Sequence, residues 1–205
     1  MSDLTVPPSF FYYLNNKASL DILDDQTTPP HSFSLEQVIE FNKAKASLTA
    51  CKYENYEFMT RFYQQVWGQA LKKFENVLTP LKVKDELLNI DHPDAASIDQ
   101  VWENGHFYWY YRTPCGDILA LACWLDNSFF LSIYCCASSK GKTNDWQLSH
   151  EVCKKLDAAH WNQSDEDGNI FLLENDGLSF TEENPGVDVT SLTEIATNAL
   201  ADILK

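Results

Sequence analysis

Glycine and proline are scarce, with 7 and 8 in 205 residues, which excludes low-complexity disorder as the state of the chain. Cations are scarce too. Fifteen Lys and Arg stand against 30 Asp and Glu, a formal charge of −15. A surface of that sign repels phosphate and anionic lipid, so direct nucleic-acid binding and attachment to a membrane surface are not expected. No apolar run approaches the roughly 20 residues that a membrane-spanning helix needs. The opening residues Met1, Ser2, Asp3, Leu4 and Thr5 show no basic stretch, and no apolar run follows, so no secretory signal is read. Gly-rich phosphate loops, nucleophile elbows of the GxSxG type and HExxH zinc motifs are all missing. No cofactor is implied.

Aromatic residues are plentiful. Six Trp, nine Tyr and twelve Phe supply ample material for a core, because each buried ring removes a large area from water. The six cysteines, at 51, 115, 123, 135, 136 and 153, form an even count that would read as a disulfide framework in a small secreted chain. Four of them sit inside apolar runs, where a free thiol behaves as a small hydrophobe. With no signal sequence, reduced thiols and a cytoplasmic location are the expectation.

The chain reads as an N-terminal arm, 1–33, followed by one α+β domain, 34–205. Pro7, Pro8, Pro29 and Pro30 mark the arm as irregular, with the apolar segment 10–14 strapped onto the domain as an edge strand or short helix. Ser34 followed by Gln37, with Phe33 and Val38 flanking, is the signature of a capping box and hydrophobic staple, and predicts a helix over 35–50. Met59, Phe62, Tyr63, Val66, Ala70, Phe74, Val77 and Leu78 recur at spacings of three and four, predicting a second helix that runs to Pro80. A short helix over 81–90 is the next expectation.

The period then changes. Residues 101–136 predict three strands joined by turns at Thr113, Pro114, Cys115 and Gly116 and at Asp126 and Asn127. The run 118–125 is apolar on both faces and suits a central strand. A helix over 146–159, a fourth strand over 170–173 and a C-terminal amphipathic helix capped by Ser191 complete the pattern. The fold class is therefore α+β: N-terminal helices packed on an antiparallel sheet of three to four strands, in the order αα-βββ-α-β-α, with a C-terminal amphipathic helix.

Charge is segregated along the chain. Between 156 and 204 there is no Lys or Arg, while eleven acids occur there, leaving 19 acids and 15 bases elsewhere. The acidic quarter, 156–204, is the candidate binding surface, carried by Asp157, Asp165, Glu166, Asp167, Glu174, Asp176, Glu182, Glu183 and Asp188. Single-sign surfaces accelerate association with an oppositely charged partner and disfavour self-association. The expected partner is a basic protein surface, such as that of a toxin or a nucleic-acid enzyme, with the chain acting as an inhibitor, immunity protein or nucleic-acid mimic.

Other chemistry reads more weakly. Asp165, Glu166, Asp167, Gly168 and Asn169 resemble the start of a calcium loop, but Ile170 occupies the sixth position, where glycine is required, so the segment reads as a turn. His150 and Cys153 share a helix face and could form one hook of a zinc site, which needs four ligands. An enzyme with scattered residues, Cys115 as nucleophile and His106 or His150 as base, is the alternative to a binding protein, and a structural subunit docking through 10–14 is the third reading.

Overall fold

A computed structural model describes residues 4–81, 106–114, 116, 118–125, 128–136, 150–166, 170–175 and 178–204. The expected helix over 81–90, residues 146–149, Cys115, Asp167 and Asp176 lie outside the described residues, Leu81 excepted.

After a two-residue strand β1 (Leu4–Thr5), the segment expected to be an irregular arm forms helix α1 (Pro8–Asp25). Proline did not exclude this helix, because Pro8 stands in its first turn, where a backbone N–H would have no helical acceptor anyway. Phe10, Tyr13 and Leu20 give it a buried face. α1 has no basic residue in its last turn, and its terminal carbonyls are served from outside. Lys45 Nζ donates to the carbonyls of Leu23 and Asp24 at 3.0 and 3.1 Å, and Lys52 Nζ lies 2.5 Å from the Asp24 carboxylate. Cations at that end also complement the helix dipole.

The two helices expected over 35–50 and from Met59 to Pro80 are one continuous helix, α2 (Leu35–Leu71). No glycine or proline stands between 51 and 58, so nothing there breaks the ladder. What changes along α2 is the neighbour rather than the helix. Its first half lies against α1, and its second half lies on the sheet. The capping box is present as expected: the Gln37 N–H donates to Ser34 Oγ, and the Ser34 N–H donates to Gln37 Oε1. The helix ends at Leu71, before Phe74 and Leu78, which pack down through turns instead.

The predicted meander is present as β3 (His106–Arg112), β4 (Ile118–Leu125) and β5 (Ser128–Cys136). The sheet is larger than the three to four strands expected. Strand β2 (Thr79–Pro80) pairs with β3, and after helix α3 (His150–Ala158) the strands β6 (Trp161–Glu166) and β7 (Ile170–Asn175) form a hairpin that joins β5. The order is β2-β3-β4-β5-β7-β6, and a short β8 (Leu178–Ser179) also pairs with β5. Every pairing is antiparallel. A second small sheet joins β1 to β9 (Gly186–Val187).

The final helix, α4 (Val189–Ile203), begins three residues earlier than expected. Asp188, not Ser191, caps it: the Ser191 N–H donates to Asp188 Oδ1 at 3.0 Å and the Ser191 hydroxyl to Oδ2 at 2.7 Å. Both residues are good caps. Strand β9 ends at Val187, and that places Asp188 at the point where helix can begin.

Helices lie on one face of the sheet. Phe107, Leu119, Leu121, Leu131 and Ile133 meet Phe62, Tyr63, Val66 and Trp67 of α2 and Leu192, Ala196 and Leu200 of α4 in one buried core. On the opposite face Leu81, Tyr110, Ile118 and Ala120 form a smaller cluster. Strand β4 is thus buried on both faces, as its unbroken apolar run predicted. Trp67 is fully buried, and its Nε1 donates to the carbonyl of Ala122 on β4 at 2.8 Å. Replacing Trp67 with Ala should lower unfolding stability by about 3–5 kcal/mol, since it leaves a cavity as well as an unmatched carbonyl. Tyr53→Ala, on the exposed side of the same helix, should change it by under about 0.5 kcal/mol. Urea unfolding of both variants measures the difference.

Candidate functional site

The acidic residues named from sequence are divided among different elements. Asp157 is exposed on α3, whose Leu156 belongs to the helix-side core. Asp165 and Glu166 end the edge strand β6, paired with Phe171 and Ile170. Glu174 is half-buried on β7 and lies on the face away from the helices, with Ser132 Oγ 3.5 Å from its Oε1. Glu174 thus lies on the sheet face opposite the one that carries the helix-side core.

Glu182, Glu183 and Asp188 do fall close together in the chain, in a backbone held by hydrogen bonds. Thr181 and Asn184 exchange backbone hydrogen bonds of 3.2 and 3.1 Å, and the Asn184 N–H also reaches Thr181 Oγ1. This closed turn holds Glu182 and Glu183 at its tip, both exposed. The carbonyl of Pro185 then accepts the Val6 N–H, fixing the segment to the N-terminal strand. Asp188 is exposed, and its carboxyl is held below the usual aspartate range, first by the backbone N–H of Ser191 and then by the Ser191 hydroxyl. Among the described residues, tertiary structure brings Lys155 to the acidic quarter: its Nζ lies 3.7 Å from Asp202. That pair is solvent-accessible, and the lysine precedes the acidic stretch by a single residue.

Of the calcium-like segment, Asp165 and Glu166 belong to β6, and Glu166 pairs with Ile170, where β7 begins, so the later positions of a metal loop are taken by strand. Among the described residues no three His, Cys, Asp or Glu side chains gather as a metal-binding group. His106 opens β3 and His150 opens α3, at separate places in the fold, and neither has a described side chain. Cys153 lies within α3.

Two thiols are described in full. Cys51 sits between α1 and α2, with its Sγ 3.2 Å from the Ser9 carbonyl, and burial, helped by nearby Glu54, pushes its pKa up to about 11. Cys123 lies under the sheet, 3.5 Å from the Phe107 carbonyl, and burial raises it well above the ordinary thiol range. Neither presents a thiolate near neutral pH, so both are packing residues. Beside Cys123 the hydroxyls of Tyr63 and Tyr111 stand 3.4 Å apart. Burial, and secondarily Tyr111, pushes Tyr63 far above the normal phenol range.

Sequence reasoning missed strand β6, because Asn162, Gln163, Ser164, Asp165 and Glu166 carry none of the apolar alternation that announces a strand. It also missed the Ser132–Glu174 contact, which joins residues 42 apart through strand pairing. Among the described residues no helix is long and apolar enough to cross a membrane. Comparison with known proteins returned no match to a family model, a curated protein or a solved structure.

Two outcomes follow for these groups. A carboxyl held low in the folded state contributes stability above its unfolded pKa, and that contribution is lost as the pH falls through the folded value. Asp188→Ala should therefore lower Tm at neutral pH, with the gap to the parent protein closing in strong acid, as followed by thermal melts across a pH series. In native protein at pH 7.5, Cys51 and Cys123 should resist iodoacetamide and become alkylated only on denaturation, as read by peptide mass spectrometry.

Proposed function

We propose that this protein is an acidic binding module that occupies a basic surface on another protein, of the kind presented by a nucleic-acid-binding or nucleic-acid-cleaving partner. An inhibitor or immunity protein is the concrete form of that role. The reading is carried by one observation. Glu182 and Glu183 project from a closed turn and Asp188 follows at the helix cap, in a stretch of sequence with no Lys or Arg. An ordered backbone lowers the entropy lost when such carboxylates meet cations. The carboxylates stand where phosphates would lie on the partner's usual ligand, and the net charge of −15 steers the encounter.

The test is retention of basic proteins from the source cell's lysate on the immobilised protein at low salt, followed by a salt gradient. A single basic protein, displaced by nucleic acid as well as by salt, is the expected result. The double variant Glu182→Gln, Glu183→Gln should weaken its binding roughly tenfold, about 1.4 kcal/mol. Lys154→Gln, on exposed α3, should leave binding intact. Retention that ignores both salt and the double variant would sink the proposal.

A further inference from the structure

Helix α2 meets its two neighbours along different sides. Lys45, Lys52 and Asn55 mark the side that meets α1: both lysines reach its last turn, and Asn55 accepts from the Ser9 hydroxyl. Tyr56, Thr60, Tyr63 and Trp67, at spacings of three and four, mark the side toward the sheet. The rings of Tyr56 and Tyr63 lie 6.0 and 5.3 Å from that of Phe107, and Trp67 donates to the Ala122 carbonyl.

Followed back toward the start of the helix, this second stripe keeps its spacing. It passes through Tyr53, Thr49, Ala46, Asn42, Ile39 and Leu35, alternately three and four residues apart. All six are exposed, Leu35 by 77%, Ile39 by 46% and Tyr53 by 58%. The face that α2 lays on the sheet in its second half thus runs on uncovered through its first half. At 1.5 Å per residue the bare stretch is about 27 Å long. An apolar stripe with this repeat is the surface on which helices pair.

Charge and pattern together say what fits there. The chain carries −15, but between Leu35 and Asn55 the acids Glu36, Glu40 and Glu54 are balanced by Lys43, Lys45 and Lys52. A second copy of the chain is therefore least repelled along this segment. The stripe also matches itself when reversed. Two copies laid antiparallel set Leu35 opposite Tyr53, Ile39 opposite Thr49 and Asn42 opposite Ala46, and two-fold symmetry repeats each layer. Large side chains then fill the outer layers, and small ones at the centre let the helices approach. A parallel pair would drive the two sheets into the same space, because each sheet covers this stripe beyond Tyr53. In the antiparallel pair each helix stops where the other copy's sheet begins.

We propose that residues 35–53 of α2 are a dimerisation seam, on which a second copy of this chain lays the same stripe antiparallel. Asn42, the polar residue near the two-fold axis, fixes the register of the pair. The seam does not depend on the acidic-module reading, and it responds to salt in the opposite sense. Salt screens the repulsion between two copies of charge −15 and tightens the dimer, whereas it weakens binding to a basic partner.

The test is sedimentation equilibrium of the full chain from about 1 μM to about 1 mM. A monomer–dimer equilibrium that tightens with added salt is expected. The double variant Leu35→Gln, Ile39→Gln should raise the dimer Kd at least about tenfold, with the helical circular dichroism of the parent retained. Orientation is read by oxidising an equal mixture of the single variants Asn42→Cys and Ala46→Cys and mapping the linked peptides by mass spectrometry. Antiparallel pairing gives links from position 42 to position 46. A chain that stays monomeric at every concentration overturns the proposal. So does a dimer that the double variant leaves intact, since it pairs through another face. Links of 42 to 42 and 46 to 46 overturn the antiparallel arrangement.

Discussion

Trp67 places its indole N–H on the carbonyl of Ala122, at the middle of the sheet's central strand, with both residues fully buried. Most of the architecture is arranged around that contact. A helix of 37 residues gains little from intrinsic propensity alone and depends on its partners for stability. The Trp67 region supplies them on both sides. Tyr63 packs on Phe107 of β3 with ring centroids 5.3 Å apart, and Thr193 of α4 bonds to the carbonyl of Gln65. With the second half of α2 held on the sheet, its first half offers a platform for α1. There Lys45 and Lys52 reach across to the carbonyls and carboxylate at the end of α1.

Among the described residues, burial pushes the Cys51 and Cys123 thiols out of the reactive range, and two buried amides tie elements together: Asn55 links α1 to α2, and Asn175 closes the corner between α3 and β6. Charge is left to the periphery. Those acids do different work according to where the fold sets them. Asp188 organises a helix, Asp202 meets Lys155, Glu174 lies beside Ser132, and Glu182 and Glu183 stand at the tip of a turn.

Local signals in the sequence were reliable where the structure obeys local rules. The capping box of Ser34 and Gln37, the stripe from Met59 to Ala70, the meander and the doubly buried run of β4 are all present. The failures share a cause. Pro7 and Pro8 were taken as breakers, although a first-turn proline costs a helix nothing. Residues 51–58 lay between the two predicted helices, yet α2 runs through them while its neighbour changes from α1 to the sheet. Strand β6 carries no apolar alternation, since its position at the edge and its ladder with β7 define it.

By itself the sequence determined the α+β class, the apolar faces and the concentration of acid between 156 and 204, because periodicity and charge are properties of neighbours along the chain. Tertiary structure alone decided that α2 is one helix serving two partners, that Asp188 rather than Ser191 starts α4, and that Glu174 lies beside Ser132. It also decided that the polar segment 161–166 is a strand, through its ladder with β7. Each of these depends on which distant segments meet, and that is settled by how apolar faces pair and strands register, not by the residues on either side.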